Sequence, residues 1–131
     1  IEADPKVIHR VEFINSKFFY TVQVDASESF ELCPADVCNI EEQFCPTNPD
    51  GNKFMIIKEY KNPELTNYIK FLQQNEIEIA GIEYMTDVQG VHYTYDVNTN
   101  TNYNSVAEKN VGMFGMKQIA IFLKEELNKI I

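Results

Sequence analysis

No apolar run in the sequence approaches the roughly 18–20 residues that a membrane-spanning helix needs, and no charged, apolar-cored leader opens it. None of its asparagines stands in an N-x-S/T acceptor pattern. Bases are few: 11 Lys and Arg face 20 Asp and Glu, for a net charge of −9, and they form no cluster. Such a surface repels phosphate backbones, which excludes nucleic acid as a first partner unless a metal intervenes. Cysteine is sparse and odd in number, Cys33, Cys38 and Cys45, which with the missing acceptor pattern favours a reducing, cytoplasmic setting. A structural zinc site would need a fourth ligand, and His9 and His92 could join these thiols only through tertiary proximity, so loop or buried thiols are the plainer reading, with a substrate contact as the functional one. The chain also lacks an initiating methionine, from which we expect either a cleavage before Ile1 or a longer parent.

What is present suffices for one domain: 131 residues, 44% apolar and 12% aromatic. Lys6–Ile14 and Lys17–Asp25 read as a hairpin turning at Asn15-Ser16, rich in β-branched and aromatic residues. Residues 26–52 read as a long loop with one helical turn after Pro34, and Lys53–Lys58 as a short strand. Asn62-Pro63 opens a helix whose Leu65, Tyr68, Ile69 and Leu72 make one apolar stripe. Glu76–Thr86 and Val91–Val97 are two more strands, followed by a polar loop with asparagine at every second position from Asn98 to Asn104. A last helix spans about Met113–Ile130, its inward stripe being Met116, Ala120, Leu123, Leu127 and Ile130. The order implies an α+β domain, an antiparallel sheet with helices packed on one face. No repeat or linker divides it, so residues 1–131 form one domain.

The second hairpin carries the chemistry. Side chains alternate along a strand, which groups His92, Thr94, Asp96 and Asn98 on one face of the second strand and Val91, Tyr93, Tyr95 and Val97 on the other. With a two- or four-residue loop, Glu83 lies opposite Thr94 and diagonal to Asp96, so Glu83, Asp96 and Asn98 converge. A three-residue loop reverses the parity and sends Glu83 to the opposite face. Two carboxylates and an amide oxygen suit Mg²⁺ or Mn²⁺ rather than zinc or copper. The alternative is a solvated polar face with an asparagine-rich loop beyond it. His92 is more plausibly a packed strand residue than a base, and the tyrosines are better read as cross-strand packing than as base-stacking platforms.

The run AGIEYMTDVQGVHYTYDVNTNTNYN, Ala80–Asn104, resembles the closing hairpin of the ATP-grasp fold, where an acid on one strand is followed by acid-x-Asn on the next. Ile8–Cys38, IHRVEFINSKFFYTVQVDASESFELCPADVC, resembles the hairpin after the hinge in a glutamate-ligase-like branch of that superfamily. The resemblance implies that Glu83, Asp96 and Asn98 hold the Mg²⁺ bridging the ATP phosphates, acting as metal ligands and not as general bases. It implies that Arg10 faces the phosphates and Tyr95 lines the adenine pocket. It further implies an ADP-forming ligase that joins a carboxylate to an amine through an acyl phosphate, with small-molecule substrates and a possible homo-oligomer. The chain departs from the family in its order of Glu and Asp and in the asparagine repeat, which replaces an Asn-x-x-Pro-Gly ending. The family's N-terminal domain, glycine-rich flap and hinge have no counterpart in these residues, so the chain is expected to be the C-terminal, Mg-binding portion of a longer protein and inactive alone. The rival is a non-enzymatic acidic α+β module that binds a protein.

Overall fold

The computed structural model describes residues 3–27 and 53–131, so Cys33, Cys38, Cys45 and the expected turn after Pro34 lie outside the described residues. Strands β1 (Ala3–Ile14) and β2 (Lys17–Asp25) meet at Asn15 and Ser16, which both take positive φ, 56° and 53°. Two consecutive positive φ values define the hairpin turn whose twist matches that of the flanking strands. With β3 (Phe54–Ile57), β4 (Ile79–Asp87) and β5 (His92–Asn98), these strands form one antiparallel sheet in the order β3-β2-β1-β4-β5. Among the described residues three helices complete the expected α+β architecture: α1 (Leu65–Gln74), α2 (Ser105–Val111) and α3 (Gly115–Ile130).

The alternation of β1 splits the core in two. Val11 and Phe13 face one side, where Ala80, Ile82 and Tyr84 of β4 are covered by Tyr68 and Leu72 of α1. Ile8 faces the other side, with Tyr20, Val22, Val24 and Ile56, and Ala107 of α2 closes over them. The helices therefore do not share one face as the pattern suggested. A single helix as short as α1 cannot cover the apolar rows on both sides of a sheet.

Asn62 acts at the start of α1 from two residues upstream of its cap Glu64, its Oδ1 accepting from Glu64 N at 2.9 Å. The helix ends on Glu76 at φ 56°, with Ile77 N donating to Leu72 O (2.9 Å) and Glu76 N to Gln73 O (3.3 Å). This closing pattern satisfies the last free carbonyls and turns the chain into β4.

Helix α2 occupies part of the stretch between the second hairpin and Met113 that the sequence suggested was loop. Asn104 caps it, accepting from Ala107 N at 2.9 Å, and Gly112 ends it in the left-handed region at φ 70°. In α3 the buried residues are Gly115 and Phe122, one residue out of phase with the stripe expected to face inward. That stripe is exposed: Met116 67%, Leu123 54%, Leu127 55% and Ile130 83%. One residue is about 100° of rotation about a helix, enough to exchange a covered stripe for an open one. No helix among the described residues is long and apolar enough to cross a membrane.

In the 131-residue chain, Phe122→Ala should cost about 3–5 kcal/mol, whereas Leu127→Ala should stay within about 0.5 kcal/mol. Urea unfolding of the two variants checks the phase of the helix; equal losses would contradict it.

Candidate functional site

Three residues, Val88, Gln89 and Gly90, separate Asp87 from Val91 at the tip of the β4–β5 hairpin, where Asp87 N donates to Val91 O at 2.9 Å. Asp87 Oδ1 accepts from Gln89 N (2.8 Å) and Val91 N (2.9 Å), and Gly90 supplies the positive φ of 83°. These bonds hold the exposed Asp87 carboxyl below its ordinary value, the Val91 backbone contributing most. The turn is thus the odd-numbered one, whose parity alone would put Asp96 on the reverse face from Glu83.

A bulge restores it. Thr94 pairs with Tyr84 but Asp96 pairs with Glu83, leaving Tyr95 as the extra residue. The expected pairing of Glu83 with Thr94 is therefore replaced by a direct Glu83–Asp96 opposition. His92 and Thr94 consequently separate from Asp96 and Asn98. His92 stacks on Tyr84 at 4.9 Å on the α1 side, and the Thr94 and Tyr68 hydroxyls meet at 2.5 Å. Tyr95, expected on the reverse face from the acids, donates its hydroxyl to Glu83 Oε2 at 3.0 Å. Burial and the Glu83 charge push that phenol up from its ordinary value.

Two rows cross the sheet on the face opposite α1. The first is Val22, Arg10, Glu83 and Asp96; the second is Tyr20, Glu12, Gly81 and Asn98. Glu83 is buried, whereas Asp96 and Asn98 lie exposed on the edge strand. Directly opposed side chains have Cβ atoms about 4.5–5.5 Å apart, and like charges there destabilise a sheet unless a cation intervenes. Arg10, the neighbour of Glu83 on β1, gives its Nε to Glu12 Oε1 at 2.5 Å and its Nη2 to the Asn102 carbonyl at 2.9 Å.

The asparagine repeat is mostly backbone structure. Asn98 Oδ1 accepts from Asn100 N (2.8 Å), Asn102 offers its carbonyl to Arg10, and Asn104 caps α2. An amide oxygen has two lone pairs, so the bond from Asn100 leaves Asn98 able to ligate a cation. Among the described residues no three or more of His, Cys, Asp and Glu are grouped to hold a metal. The donor set on this face is two carboxylates and one amide, a sparse oxygen set of the kind that suits Mg²⁺ when phosphates supply the rest.

Sequence reasoning missed Glu12. Its carboxylate is fully buried beneath Gly81, and its Oε2 has no hydrogen-bond partner. The Thr101 hydroxyl lies near enough to favour the ionised form, yet it too is buried without completing a bond. Desolvation dominates: it pushes Glu12 from 4.5 up to about 7 against the pull of Arg10, with Glu83 adding to the rise. A signal existed in the strand, since a charged residue sits in line with Ile8 and Ile14 on a buried face. Beyond it, Glu108 Oε1 accepts from the Tyr20 hydroxyl (2.8 Å) and Gly115 N (2.6 Å), joining β2, α2 and α3.

Solved structures share this arrangement of elements. A ligase of the ATP-grasp type associated with peptide natural products in Chryseobacterium gregarium, in complex with ADP and a leader and core peptide, superposes with a TM-score of 0.57 at 14% identity, over 95% of this chain and 35% of its own. The macrocyclase MdnC of Microcystis aeruginosa, bound with precursor peptide MdnA, gives 0.56 at 12% identity, over 95% and 34%. The ATP-grasp ligase PsnB, complexed with minimal precursor, Mg and ADP, gives 0.51 at 10% identity, over 79% and 27%. No family model and no curated protein matches the chain.

The raised value of Glu12 means that the folded protein holds this proton more tightly than the unfolded one, so its contribution to stability falls as pH rises from about 4.5 to about 7. Burial, with the His92 charge, lowers His9 and works in the opposite sense over part of that window. The readout is therefore the difference between the protein and Glu12→Gln: urea midpoints should show the parent losing ground to the variant between about pH 4.5 and about pH 7. A constant difference would contradict a buried, titrating Glu12. Among the described residues, the five antiparallel strands and their helices share the fold of the matched regions of these solved structures, and the chain spans 27% to 35% of their length.

Proposed function

We propose that this chain is the metal- and phosphate-binding part of an ATP-dependent ligase that joins a carboxylate to an amine. The observation that carries the reading is the opposition of Glu83 and Asp96 on one face, with Asn98 in the adjoining row. In this proposal Glu83, Asp96 and Asn98 hold Mg²⁺, or Mn²⁺ in its place, which when bound neutralises phosphate charge. Arg10 presents guanidinium donors to the phosphates, and Tyr95 lines the nucleotide. Like charge between Glu83 and Asp96 costs stability in the bare protein and becomes attraction toward a cation, so the site is biased toward the loaded state.

The chemistry asks little covalent work of these residues. A substrate carboxylate attacks the γ-phosphorus of ATP and ADP leaves, giving an acyl phosphate. The amine then attacks the acyl carbon, phosphate leaves, and the nitrogen loses a proton. The three ligands act by position and charge, and none serves as the base. Because the solved structures are about three times longer than the matched region, the activity belongs in this reading to a longer protein whose N-terminal portion completes the nucleotide clamp. The carboxylate and amine, small molecules in the sequence-based expectation, are placed by this proposal on a peptide, since MdnC and the Chryseobacterium ligase were solved with peptides bound. A cytoplasmic setting and possible homo-oligomer remain parts of the proposal.

The second reading, a non-enzymatic protein-binding module, is favoured by the exposed apolar stripe of α3. Titration calorimetry of the full-length protein with Mg·ATP separates the two. The ligase reading predicts binding that Asp96→Ala or Asn98→Ala weakens at least about 10-fold, as for residues that ligate or orient a metal. Absent binding, or binding indifferent to both variants, would favour the module. Asp96→Asn should raise the urea midpoint of the metal-free chain while weakening nucleotide binding, because it removes the like-charge opposition; a lowered midpoint would count against that opposition.

A further inference from the structure

We propose that Glu12 is a positioning residue for the metal site: its buried carboxylate fixes the Arg10 guanidinium, and Arg10 in turn anchors the loop that begins at Asn98. The inference rests on the proposed nucleotide site and adds to it a residue outside the expected ligand set.

The strut has three members. Glu12 Oε1 takes Arg10 Nε at 2.5 Å, and the Arg10 Nη2 holds the Asn102 carbonyl at 2.9 Å. Gly81 makes the close approach possible. A Cβ at that position would lie 2.6 Å from Thr101 Cγ2, 2.9 Å from Glu12 Oε2 and 3.2 Å from Arg10 Cδ. Loop residues 101 and 102 are thus pressed through the gap above Gly81 onto β1. Gly81 is itself the cross-strand partner of Asn98. At its near end the loop is tied to the Asn98 side chain through Asn100 N, and at its far end Asn104 is committed to capping α2. The direction of the Asn98 amide is therefore set by a short loop whose middle is held by Arg10.

Stability gives no reason to keep a carboxylate there. Replacing a buried ion pair by a neutral group of similar shape is often neutral or stabilising, and the best-attested return for such a pair is registry. Glu12 has one oxygen without a partner, and its neighbour Glu83 adds like charge. A fully buried carboxylate cannot take a cation from solvent, so its effect on the metal passes through Arg10 and the loop. Orienting residues of this kind typically change metal affinity by about 10–100-fold when altered.

The test is the Mg²⁺ dependence of ADP binding to the full-length protein, followed by calorimetry. Glu12→Gln keeps the shape and removes the charge. It should raise the Mg²⁺ concentration for half-maximal binding by about 10-fold or more and leave the unfolding midpoint equal or higher. A residue that served only the fold would lower the midpoint and leave the Mg²⁺ requirement in place. Because the strut acts through Asn98, Glu12→Gln added to Asn98→Ala should bring no further change, the signature of coupled residues. Glu12→Asp, which keeps the charge but withdraws it by one methylene, is the second variant should Glu12→Gln not fold, and it should shift the requirement in the same direction. An unchanged requirement, or effects of Glu12→Gln and Asn98→Ala that multiply independently, overturns the strut. If Asp96→Ala also leaves Mg·ADP binding intact, the nucleotide reading falls with it; if Asp96→Ala weakens binding while Glu12→Gln does not, only the strut falls.

Discussion

The single inserted residue Tyr95 decides which side chains share the face of the site. The hairpin tip is closed by an odd number of residues, held by Asp87 Oδ1 and the positive φ of Gly90. From that tip, strict alternation would point Asp96 and Asn98 toward α1. One bulge between the Tyr84–Thr94 and Glu83–Asp96 pairs cancels the shift. Upstream of the bulge, His92 and Thr94 serve packing against Tyr84 and Tyr68; downstream of it, Asp96 and Asn98 serve the opposite face. Bulges re-aim side chains in this way at sheet edges and beside functional sites, and here the same residue that makes the bulge places its hydroxyl on Glu83.

The face so assembled is expensive in electrostatic terms. Glu12, Glu83 and Asp96 occupy two adjacent rows, and Arg10 is the one base among them in these rows. Two of its five N–H donors are committed to Glu12 and the Asn102 carbonyl, and no hydrogen bond to Glu83 is found among the described contacts. Glu83 relies instead on a phenol, which stabilises a carboxylate less than a cation does. By contrast, the neighbouring Glu108 is satisfied by Tyr20 and Gly115 N, and it locks three elements together. One buried acid is thus built into the fold, while the others sit in surroundings that favour added positive charge.

Much of this was legible in residues taken one at a time. The Asn15-Ser16 turn, the apolar stripe through Tyr68 and Leu72, and the short strand around Ile56 follow from local pattern, and all form. The antiparallel α+β character follows from two hairpins. What was not legible depends on single-residue phase. Nothing in the string YTYDVN marks Tyr95 as the inserted residue, because a bulge preserves composition. The phase of α3 was misjudged because its two neighbouring stripes are both rich in apolar residues, and only tertiary contact tells which is covered. Helix α2 was hidden in polar sequence, although Asn104 and Gly112 are the residues favoured at a helix start and end. Glu12 escaped because an acid in a strand reads as solvated until a second strand and a loop are known to close over it.

In the proposed site Glu83, Asp96 and Asn98 surround one hard cation. A crystal of the full-length protein grown with Mn²⁺ and ADP, measured for anomalous scattering, locates that cation. The proposed site predicts an anomalous peak within ligand distance of at least two of these three side chains, with the Tyr95 hydroxyl displaced from Glu83 or sharing it. A peak held by other residues, with Asp96 and Asn98 facing solvent, would contradict it.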